Sequence, residues 1–364
     1  MAPVQTCDFA IIGAGMAGAS LAAELVTGGA RVVLVEGEAA PGYHATGRSA
    51  AFWTESYGGP GVQPLTTASG PFLRDHGFLT PRGALTIARA GQQPALAQFA
   101  QRFAALGVGV QVLDRDAVAA RIPGLRPDWT GGVLEPSCCD IDVAALHQHY
   151  LAQAQRGGAQ LFCGARLAGA QTHGDGWLLT LSDGRVLAAD RLVNAAGAWA
   201  DDVARLAGVR PLGITPFRRT MAQLRCSPEP PPGLPLVLDL GEQFYFKPDA
   251  GRLWLSPHDE IPSVPCDAAP DEVDIAQAIA RLETVVDWRI DRVEHRWAGL
   301  RSFAPDRLPV YGPDPRHPRF IWFAGQGGFG IQTAPAAAKL TAAMLLGRSD
   351  NAVDPAPFGP GRFG

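Results

Sequence analysis

The sequence predicts a mixed α/β (α+β) protein in which a parallel sheet shares the chain with an inserted domain built on a mainly antiparallel sheet. Three observations predict it. Residues 8–36 have the pattern of strand, glycine turn, helix and second strand, a βαβ unit that calls for a parallel sheet. Short strand patterns then dominate 84–134 and 216–259. A strand-and-glycine pattern returns at 318–333 before an alanine-rich helix at 334–346, so the chain is expected to leave the parallel sheet and re-enter it.

The elements between these regions follow from local patterns. An alanine-rich segment at 95–106 and the segment DVAALHQHYLAQAQR at 142–156 predict helices. Short strands are predicted at 160–163 and 177–181, and the second is followed by a hairpin turn at Ser182-Asp183-Gly184. The proline-rich segment at 227–235 predicts a surface loop.

Composition limits the classes of function. The chain has 364 residues, of which 47% are hydrophobic, enough for a sizeable core and two lobes. Its net charge of -4, without a long run of one sign, argues against nucleic acid as a partner. The N-terminus lacks the features of a secretory signal, and no segment reaches the roughly 18 to 20 apolar residues of a membrane span. We therefore expect a cytoplasmic protein, with peripheral membrane association left open.

The cysteines predict neither a disulfide framework nor a metal site. Six of them are spread over the chain without a C-x-x-C pair. Cys138 and Cys139 are adjacent, but catalytic thiol pairs usually need a two-residue spacer. Both are expected to be ordinary thiols.

A glycine motif near the N-terminus predicts a dinucleotide site. Gly13, Gly15 and Gly18 form G-x-G-x-x-G directly after the first strand, and Glu36 closes the second. The first glycine allows the tight turn, the second lets the backbone approach a pyrophosphate, and the third lets helix and strand pack closely. The free N–H groups of the helix attract the phosphates, and a carboxylate at position 36 can accept hydrogen bonds from a ribose diol. A Rossmann-like domain binding FAD or NAD is therefore predicted, and the motif alone does not choose between them.

The continuation of the chain favours FAD. A nicotinamide enzyme would normally add further βα units after its second strand, whereas here PGYHATGRSAAF at 41–52 follows as a loop of small residues. The loop is one of a set of separated motifs along the chain. The set consists of ATGRSAA at 45–51, LVNAAGAWADDVARLAG at 192–208, and RSFAPDRLPVYG and AGQGGFGIQT within 301–333. The set resembles the D-amino acid oxidase and dehydrogenase superfamily of FAD enzymes, which includes glycine and sarcosine oxidases. Within it, GYHATGRSAA, VNAAGAW, FYFKPDAG and WAGLRSF are most similar to bacterial FAD-dependent D-arginine dehydrogenase.

The resemblance implies noncovalent FAD and a division of the chain. An FAD-binding domain would comprise 1–80, 140–215 and 295–364, and a substrate domain 81–139 and 216–294. The cofactor-binding residues expected are Gly13, Gly15, Ala17, Gly18, Glu36, Gly37, Ala45, Thr46, Gly47, Arg48, Ser49, Ala50, Ala51, Leu167, Ala196, Gly197, Trp199, Gly327, Gly328, Phe329, Gly330, Ile331 and Gln332. The glycines before the helix at 334–346 would leave backbone N–H groups and a helix dipole beside the N1/C2=O edge of a reduced flavin.

Amino acid oxidation requires a grip on the substrate carboxylate, and the planar fork of arginine suits it. Arg301 and Arg219 are the candidates, with Arg218 as a substitute for Arg219. The resemblance adds Tyr57 and Tyr245 as donors to the same carboxylate. Gln332 and the Gly328 carbonyl are expected to orient the amine. No residue stands out as a general base, and none is needed if the amine arrives deprotonated, because the flavin carries the difficult step.

Two departures from the D-arginine enzyme bear on the substrate. Phe52 stands where that enzyme has a histidine, and Gly83 where it has the glutamate that faces the cationic side chain. Burying an unpaired guanidinium is costly, so a D-amino acid with a neutral or apolar side chain is predicted. The alternatives are a secondary or N-methyl amino acid, a small hydroxy acid, or a flavin-binding redox or regulatory protein without turnover. Whether oxygen or a quinone accepts the electrons stays open.

Overall fold

The computed structural model describes residues 4–364, so the part of the N-terminal predictions that concerns residues 1–3 lies outside the described residues. Twenty strands are present: β1 Gln5–Ile12, β2 Val32–Val35, β3 Phe52–Trp53, β4 Leu79–Pro81, β5 Ala84–Arg89, β6 Gln111–Asp114, β7 Trp129–Glu135, β8 Cys139–Ile141, β9 Gln160–Phe162, β10 Leu167–His173, β11 Gly176–Leu181, β12 Val186–Asn194, β13 Thr215–Ser227, β14 Leu236–Asp239, β15 Tyr245–Asp249, β16 Arg252–Ser256, β17 Ile261–Pro262, β18 Arg289–Phe303, β19 Val310–Pro313 and β20 Phe320–Ala324. The helices are α1 Met16–Thr27, α2 Gln63–Asp75, α3 Gln93–Ala105, α4 Arg115–Ala119, α5 Val143–Arg156, α6 Ala200–Leu206, α7 Glu272–Glu283 and α8 Ala334–Leu345.

The first sheet has eight strands, and its centre is parallel. The order β9-β2-β1-β12-β20 is parallel throughout, with β19 antiparallel at one edge and the β10-β11 meander attached to β12. Strand β2 and the second half of β1, from Phe9 to Ile12, are apolar and buried, as a sheet covered on both faces requires. Helices α1, α5 and α8 pack over one face, and α6 with the meander covers the other.

Among the described residues, the second sheet has nine strands, which come from two stretches of the chain inserted between strands of the first sheet. Within residues 4–364 its neighbouring strands are antiparallel, except for the β14-β5 pair. The long strand β13 pairs with β18 along its whole length, which places Phe217 opposite Arg301 and Arg219 opposite Gly299. Helix α7 packs on this sheet through Ile275, Ala278 and Leu282. A small sheet, β3-β8-β4, lies between the two.

This architecture confirms the predicted fold class. The helices predicted at 95–106, 142–156 and 334–346 appear within two residues of those bounds. Helices α2, α4, α6 and α7 were not predicted. The two-domain division stays a prediction, and β18 runs without a break through the expected boundary at 294–295.

Three expectations concern features outside the sheets. No helix formed by residues 4–364 has the length and apolar character needed to cross a lipid bilayer. All six cysteines are free thiols, and burial raises the pKa of the Cys138 thiol well above its usual value. In the same described part of the chain, no group of three or more His, Cys, Asp or Glu side chains is placed to hold a metal ion.

Candidate active site

A large cavity opens at the carboxyl edge of the parallel strands. It is lined by Ile12 and Val35, which end β1 and β2, and by Ala195, which directly follows β12. Open parallel sheets bind ligands at this edge, where the strand order reverses. From there the cavity continues toward β13 and β18 of the second sheet, where Arg219 and Arg301 line it.

The glycine turn at the start of α1 brings backbone to backbone. Gly13 has a φ of +102°, and an added Cβ there would lie 2.4 Å from the carbonyl oxygen of Ala195. A Cβ on Gly18 would lie 1.8 Å from the carbonyl oxygen of Gly13. Gly13 and Gly15 line the cavity, and Gly18 lies behind them as the contact between helix and strand. The turn therefore leaves room for a group that approaches the chain closely, as a pyrophosphate does.

Glu36 is held in place at the end of β2. Its Oε2 accepts a hydrogen bond from the Ala14 N–H at 2.9 Å, and its Oε1 accepts one from the Glu38 N–H at 3.0 Å. Each carboxylate oxygen has a second lone pair, so the group can still accept hydrogen bonds from a ribose diol. Sequence reasoning missed the neighbouring group, in which His44 and Arg166 both bond to Glu38 at 3.0 and 2.8 Å.

The loop of small residues at 45–51 lies across the cavity wall. Thr46 Oγ1 accepts a hydrogen bond from the Met16 N–H at 2.9 Å, which fastens the loop to the start of α1. The Arg48 guanidinium pairs with Asp267 and donates to the carbonyl oxygens of Ala268 and Ala298 at 3.0 and 3.1 Å. Arg48 thus lines the cavity with its stem, while its charge binds the segment around residue 267.

The second glycine cluster forms the opposite wall, ahead of α8. The Gly327 N–H donates to the Ser302 carbonyl oxygen at 2.8 Å, which ties the cluster to the end of β18. The N–H groups of Gly330, Ile331 and Gln332 donate to no acceptor in the described part of the protein. Free N–H groups beside a helix N-terminus attract negative charge, so this wall suits the electron-rich edge of a reduced flavin.

Most of the cofactor residues predicted from the sequence share this cavity. Those that line it are Gly13, Gly15, Ala17, Glu36, Gly37, Ala45, Thr46, Arg48, Ser49, Ala50, Leu167, Ala196, Gly197, Trp199, Gly327, Gly328, Gly330 and Ile331. Those outside the lining are Gly18, Gly47 and Phe329, while Ala51 and Gln332 line a smaller neighbouring cavity. Residues that sequence reasoning missed include Tyr43, Met221, Cys266 and Gln326.

The smaller cavity, which we call the inner cavity, lies where the loop walls meet β18. Its lining residues are Ser49, Ala50, Ala51, Phe52, Tyr57, Tyr245, Arg301, Gly328, Ile331 and Gln332. The ring of Phe52 lies edge-on to the rings of Tyr57 and Tyr245, with centroids 5.2 and 5.9 Å apart. Three aromatic rings and one guanidinium therefore enclose a small space that no carboxylate lines.

Arg301 is the charged group of the inner cavity. Its Nη1 donates to the Tyr57 hydroxyl at 2.7 Å. Burial alone would raise the pKa of Tyr57, but the guanidinium groups of Arg301 and Arg219 bring it below its usual value. Burial by itself would lower the pKa of Arg301, but the hydroxyls of Tyr57 and Tyr245 outweigh it, so the pKa of Arg301 is raised and the guanidinium stays charged. The pair is thus a fixed cationic donor group, which suits a carboxylate.

Arg219 lines the larger cavity from β13, the strand that pairs with the β18 strand of Arg301. Its side chain is 4% exposed; its Nε donates to the Asp259 carbonyl oxygen at 2.8 Å and its Nη2 to Glu260 at 3.4 Å. Its Nη1 is buried without a partner. Arg218, one residue earlier on the strand, points the other way and pairs with Asp274 of α7. Arg218 Nε also has no hydrogen-bond partner among the described residues, but of the two arginines only Arg219 lines the cavity, so its free Nη1 is the donor that can serve a ligand there.

Two predicted substrate residues are placed differently from the expectation. The Gln332 amide accepts from the Thr54 N–H at 3.3 Å and donates to the Tyr57 carbonyl oxygen and Thr66 at 3.3 and 2.9 Å. Its polar atoms hold the loop before Tyr57, and we do not assign it to the amine. Gly83 lines neither cavity. Directly before β5, its N–H donates to the Cys138 carbonyl oxygen, and its φ of +76° lies in the left-handed region that favours glycine.

Two further residues near the inner cavity carried no sequence signal. His258 has its ring 5.6 Å from that of Tyr245, and its Nδ1 bonds to the Glu242 carbonyl oxygen at 2.7 Å. Removal from water, with Arg219 and Arg301 nearby, lowers the pKa of His258 to about 3, so its ring is neutral. Glu135 is buried at the end of β7 and bonds to the loop that carries Tyr57.

Comparison with known proteins agrees with this arrangement. Glycine oxidase from Pseudomonas aeruginosa is 27% identical over 384 residues, spanning 96% of this chain and 97% of the relative. The crystal structure of glycine oxidase from Geobacillus kaustophilus superposes with a TM-score of 0.86 at 22% identity, covering 98% of both chains. That of L-proline dehydrogenase from P. horikoshii gives 0.87 at 18% identity, covering 99% of this chain and 98% of the other. At such identities the structures show a shared fold.

These relatives correct one part of the sequence interpretation. The motifs in the sequence resemble D-arginine dehydrogenase most, whereas glycine oxidases are among the proteins that match over nearly the whole chain. The motifs quoted for the resemblance belong mostly to the FAD-binding walls, which whole families share, and only a few belong to the inner cavity. The model of the FAD dependent oxidoreductase (DAO) family matches residues 8–344. The chain belongs to this family and is an FAD-dependent oxidoreductase.

Proposed function

We propose that this protein oxidises a small amino acid at its Cα–N bond, with glycine and N-methylated or other secondary amino acids as the preferred class. The observation that carries the proposal is the Arg301–Tyr57 pair, whose Nη1–Oη distance is 2.7 Å, in a small cavity beside the predicted flavin site. The full-length similarity to glycine oxidase supports the same class. A neutral D-amino acid such as D-alanine fits the same contacts and is included in the test.

The carboxylate is the part of the substrate that the site can hold most firmly. Arg301 supplies a charged donor, Tyr57 a hydroxyl, and the unpartnered Nη1 of Arg219 a second guanidinium donor. Charge-assisted hydrogen bonds of this kind contribute about 1.5 to 3 kcal/mol each. The clamp fixes the orientation of Cα without reading the rest of the substrate.

The walls of the inner cavity limit the side chain. Phe52, Tyr57 and Tyr245 present ring faces and edges, and the lining contains no acidic side chain. A cationic side chain would be buried without a counter-charge there, which costs several kcal/mol. The cavity therefore favours substrates with a hydrogen, a methyl group or a small ring at these positions.

The chain needs to supply orientation more than acid–base chemistry. FAD bound here would supply the hydride acceptor: a hydride would leave Cα as the nitrogen lone pair forms the C=N bond, and water would hydrolyse the imine to the oxo acid with release of ammonia or of the amine. Holding the reacting atoms in register removes much of the barrier. The cationic groups Arg219 and Arg301 also favour a substrate whose amine is neutral.

Anaerobic reduction of the bound flavin tests the proposal. The purified yellow holoenzyme is mixed without oxygen with glycine, N-methylglycine, L-proline, D-alanine, D-arginine and glycolate, and the absorbance near 450 nm is followed. We expect bleaching by glycine or N-methylglycine at a rate at least about tenfold above that with D-arginine, from the cost of an unpaired cation. Admission of air then shows whether oxygen reoxidises the flavin.

The controls separate the possible failures. Arg301→Met removes the charged donor to the carboxylate and the hydrogen bond to Tyr57, so it should keep its FAD and its colour while every amine at a given concentration reduces it far more slowly. Reduction by glycolate alone would assign the site to hydroxy acids. Reduction fastest with D-arginine, or no reduction by any of the six compounds, would contradict the proposal.

A further inference from the structure

Four consecutive residues before α2 are held by two side chains from different parts of the fold. Residues 54–57, which we call the Tyr57 loop, lie between β3 and the turn that leads to α2. On one side Gln332 contacts Thr54 and Tyr57 through their backbone groups. On the other side Glu135, at the end of β7, contacts the Thr54 hydroxyl and the backbone N–H groups of Glu55 and Ser56.

Glu135 meets an unusual number of donors for a buried carboxylate. It is 2% exposed, and its Oε1 accepts from the Glu55 N–H at 2.7 Å and the Ser137 hydroxyl at 3.4 Å. Its Oε2 accepts from the Thr54 hydroxyl at 2.7 Å and the Ser56 N–H at 3.1 Å. An ionised carboxylate is an acceptor only, with about four lone-pair sites, so these four donors match it fully.

The hydrogen bonds to Glu135 fix the conformation of the Tyr57 loop. Two backbone N–H groups of adjacent residues point at one side chain, so the Tyr57 loop has this conformation only while an acceptor lies at that place. Tyr57 follows directly, and its hydroxyl accepts from Arg301 at 2.7 Å. A loop that relaxed by 1 Å or so would carry the hydroxyl out of hydrogen-bonding range.

We propose that Glu135 is a positioning residue for the carboxylate site: it holds the Tyr57 loop so that the Tyr57 hydroxyl and Arg301 face the substrate together. The inference rests on the proposed carboxylate site, but not on the identity of the amine. Glu135 itself lines neither cavity and touches no substrate atom. Its effect passes through Tyr57 and should vanish when the Tyr57 hydroxyl is absent.

A double-mutant cycle with a simple ligand tests this. Acetate binding to the oxidised holoenzyme is measured from the shift of the flavin absorbance, in the native protein, Glu135→Gln, Tyr57→Phe and the double variant. Glu135→Gln keeps the size of the side chain but turns an –NH2 group toward N–H and O–H donors. We expect it to raise the acetate Kd about tenfold with the Tyr57 hydroxyl present and less than twofold without it, as coupled residues do.

Asp314 provides a matched control. It is also a buried carboxylate, and it accepts from the backbone N–H groups of Arg316 and His317 at 2.9 and 3.0 Å, at the turn after β19. Asp314→Asn makes the same chemical change outside both cavities and should leave the acetate Kd unchanged. Should Glu135→Gln fail to fold, Thr54→Val removes one donor to Glu135 and should show the same dependence on Tyr57 at a smaller amplitude.

Three outcomes would overturn the proposal. One is an acetate Kd that changes by the same factor with and without the Tyr57 hydroxyl. Another is an unchanged Kd in both Glu135→Gln and Thr54→Val. The third is an equal effect of Asp314→Asn, which would mean that any loss of a buried carboxylate loosens the site. Acetate binding needs no turnover, so this test gives an answer even if the protein does not oxidise glycine or N-methylated amino acids.

Discussion

Replacing Gly18 by alanine should separate FAD binding from folding. The new Cβ would lie 1.8 Å from the Gly13 carbonyl oxygen, whereas real Cβ atoms stay at least 3.0 Å from such atoms. Both partners belong to the backbone, so the start of α1 must move away from the end of β1 by roughly 1 Å, since no side chain can rotate out of the way. That shift widens the turn that faces the pyrophosphate.

The size of the effect follows from that shift. Overpacking of this kind costs about 1 to 3 kcal/mol, and most of the loss should appear in cofactor affinity because the turn forms the phosphate site. We expect FAD to bind roughly 100-fold more weakly, at 1.4 kcal/mol per factor of ten. Titration of the apoprotein with FAD, followed by quenching of flavin fluorescence, measures it.

The control for Gly18→Ala is a glycine with open space around its Cβ position. Gly109 has no heavy atom within 4 Å of an added Cβ, and it is exposed in the segment between α3 and β6. Gly109→Ala should bind FAD as the native protein does. A Gly18→Ala protein that is folded and binds FAD within threefold of the native affinity would refute the argument that this close contact shapes the dinucleotide site.

Three other perturbations have defined outcomes. Arg301→Met should raise the KM for the amine at least about 100-fold with FAD content unchanged, and a KM within fivefold of native would contradict the clamp. Gly328→Ala places a Cβ 2.7 Å from Arg301 Nη1, so it should raise KM as well and leave FAD bound, since the guanidinium has to move. His258 takes up a proton less readily in the folded than in the unfolded protein, because its folded pKa of about 3 lies below the ordinary value of 6.5. Its contribution to the free energy of unfolding is therefore fully present above pH 6.5 and is lost as the pH falls toward 3. Urea unfolding of His258→Asn between pH 4 and 7 should therefore show a shallower dependence of the unfolding free energy on pH, and an equal slope would contradict the assigned burial.

The dinucleotide half of the site could be predicted because its signals are local. Gly13, Gly15 and Gly18 act within one turn, and their spacing encodes the close contacts that the structure shows. Helix α7 could also have been predicted, since Asp271 caps it and apolar residues recur at helical spacing through Ile275 and Leu282.

The substrate half depends on contacts between distant segments. Tyr57 and Arg301 are 244 residues apart, and a sequence can propose each one but not their 2.7 Å contact. The choice between Arg218 and Arg219 depends on the phase of β13 relative to the cavity, which a single sequence does not specify. Glu135 stands 80 residues from the loop that it binds, so only the assembled fold identifies it.

The central claim is that one cavity holds FAD beside a guanidinium that grips a carboxylate. The most direct measurement is the change in flavin absorbance when the yellow holoenzyme is titrated with acetate and then mixed anaerobically with glycine or N-methylglycine. The account predicts a saturable acetate shift that is lost in Arg301→Met, together with bleaching by the amine that acetate slows by competition. A flavin that these amines bleach equally fast in native and Arg301→Met protein, with no effect of acetate on either, would contradict it.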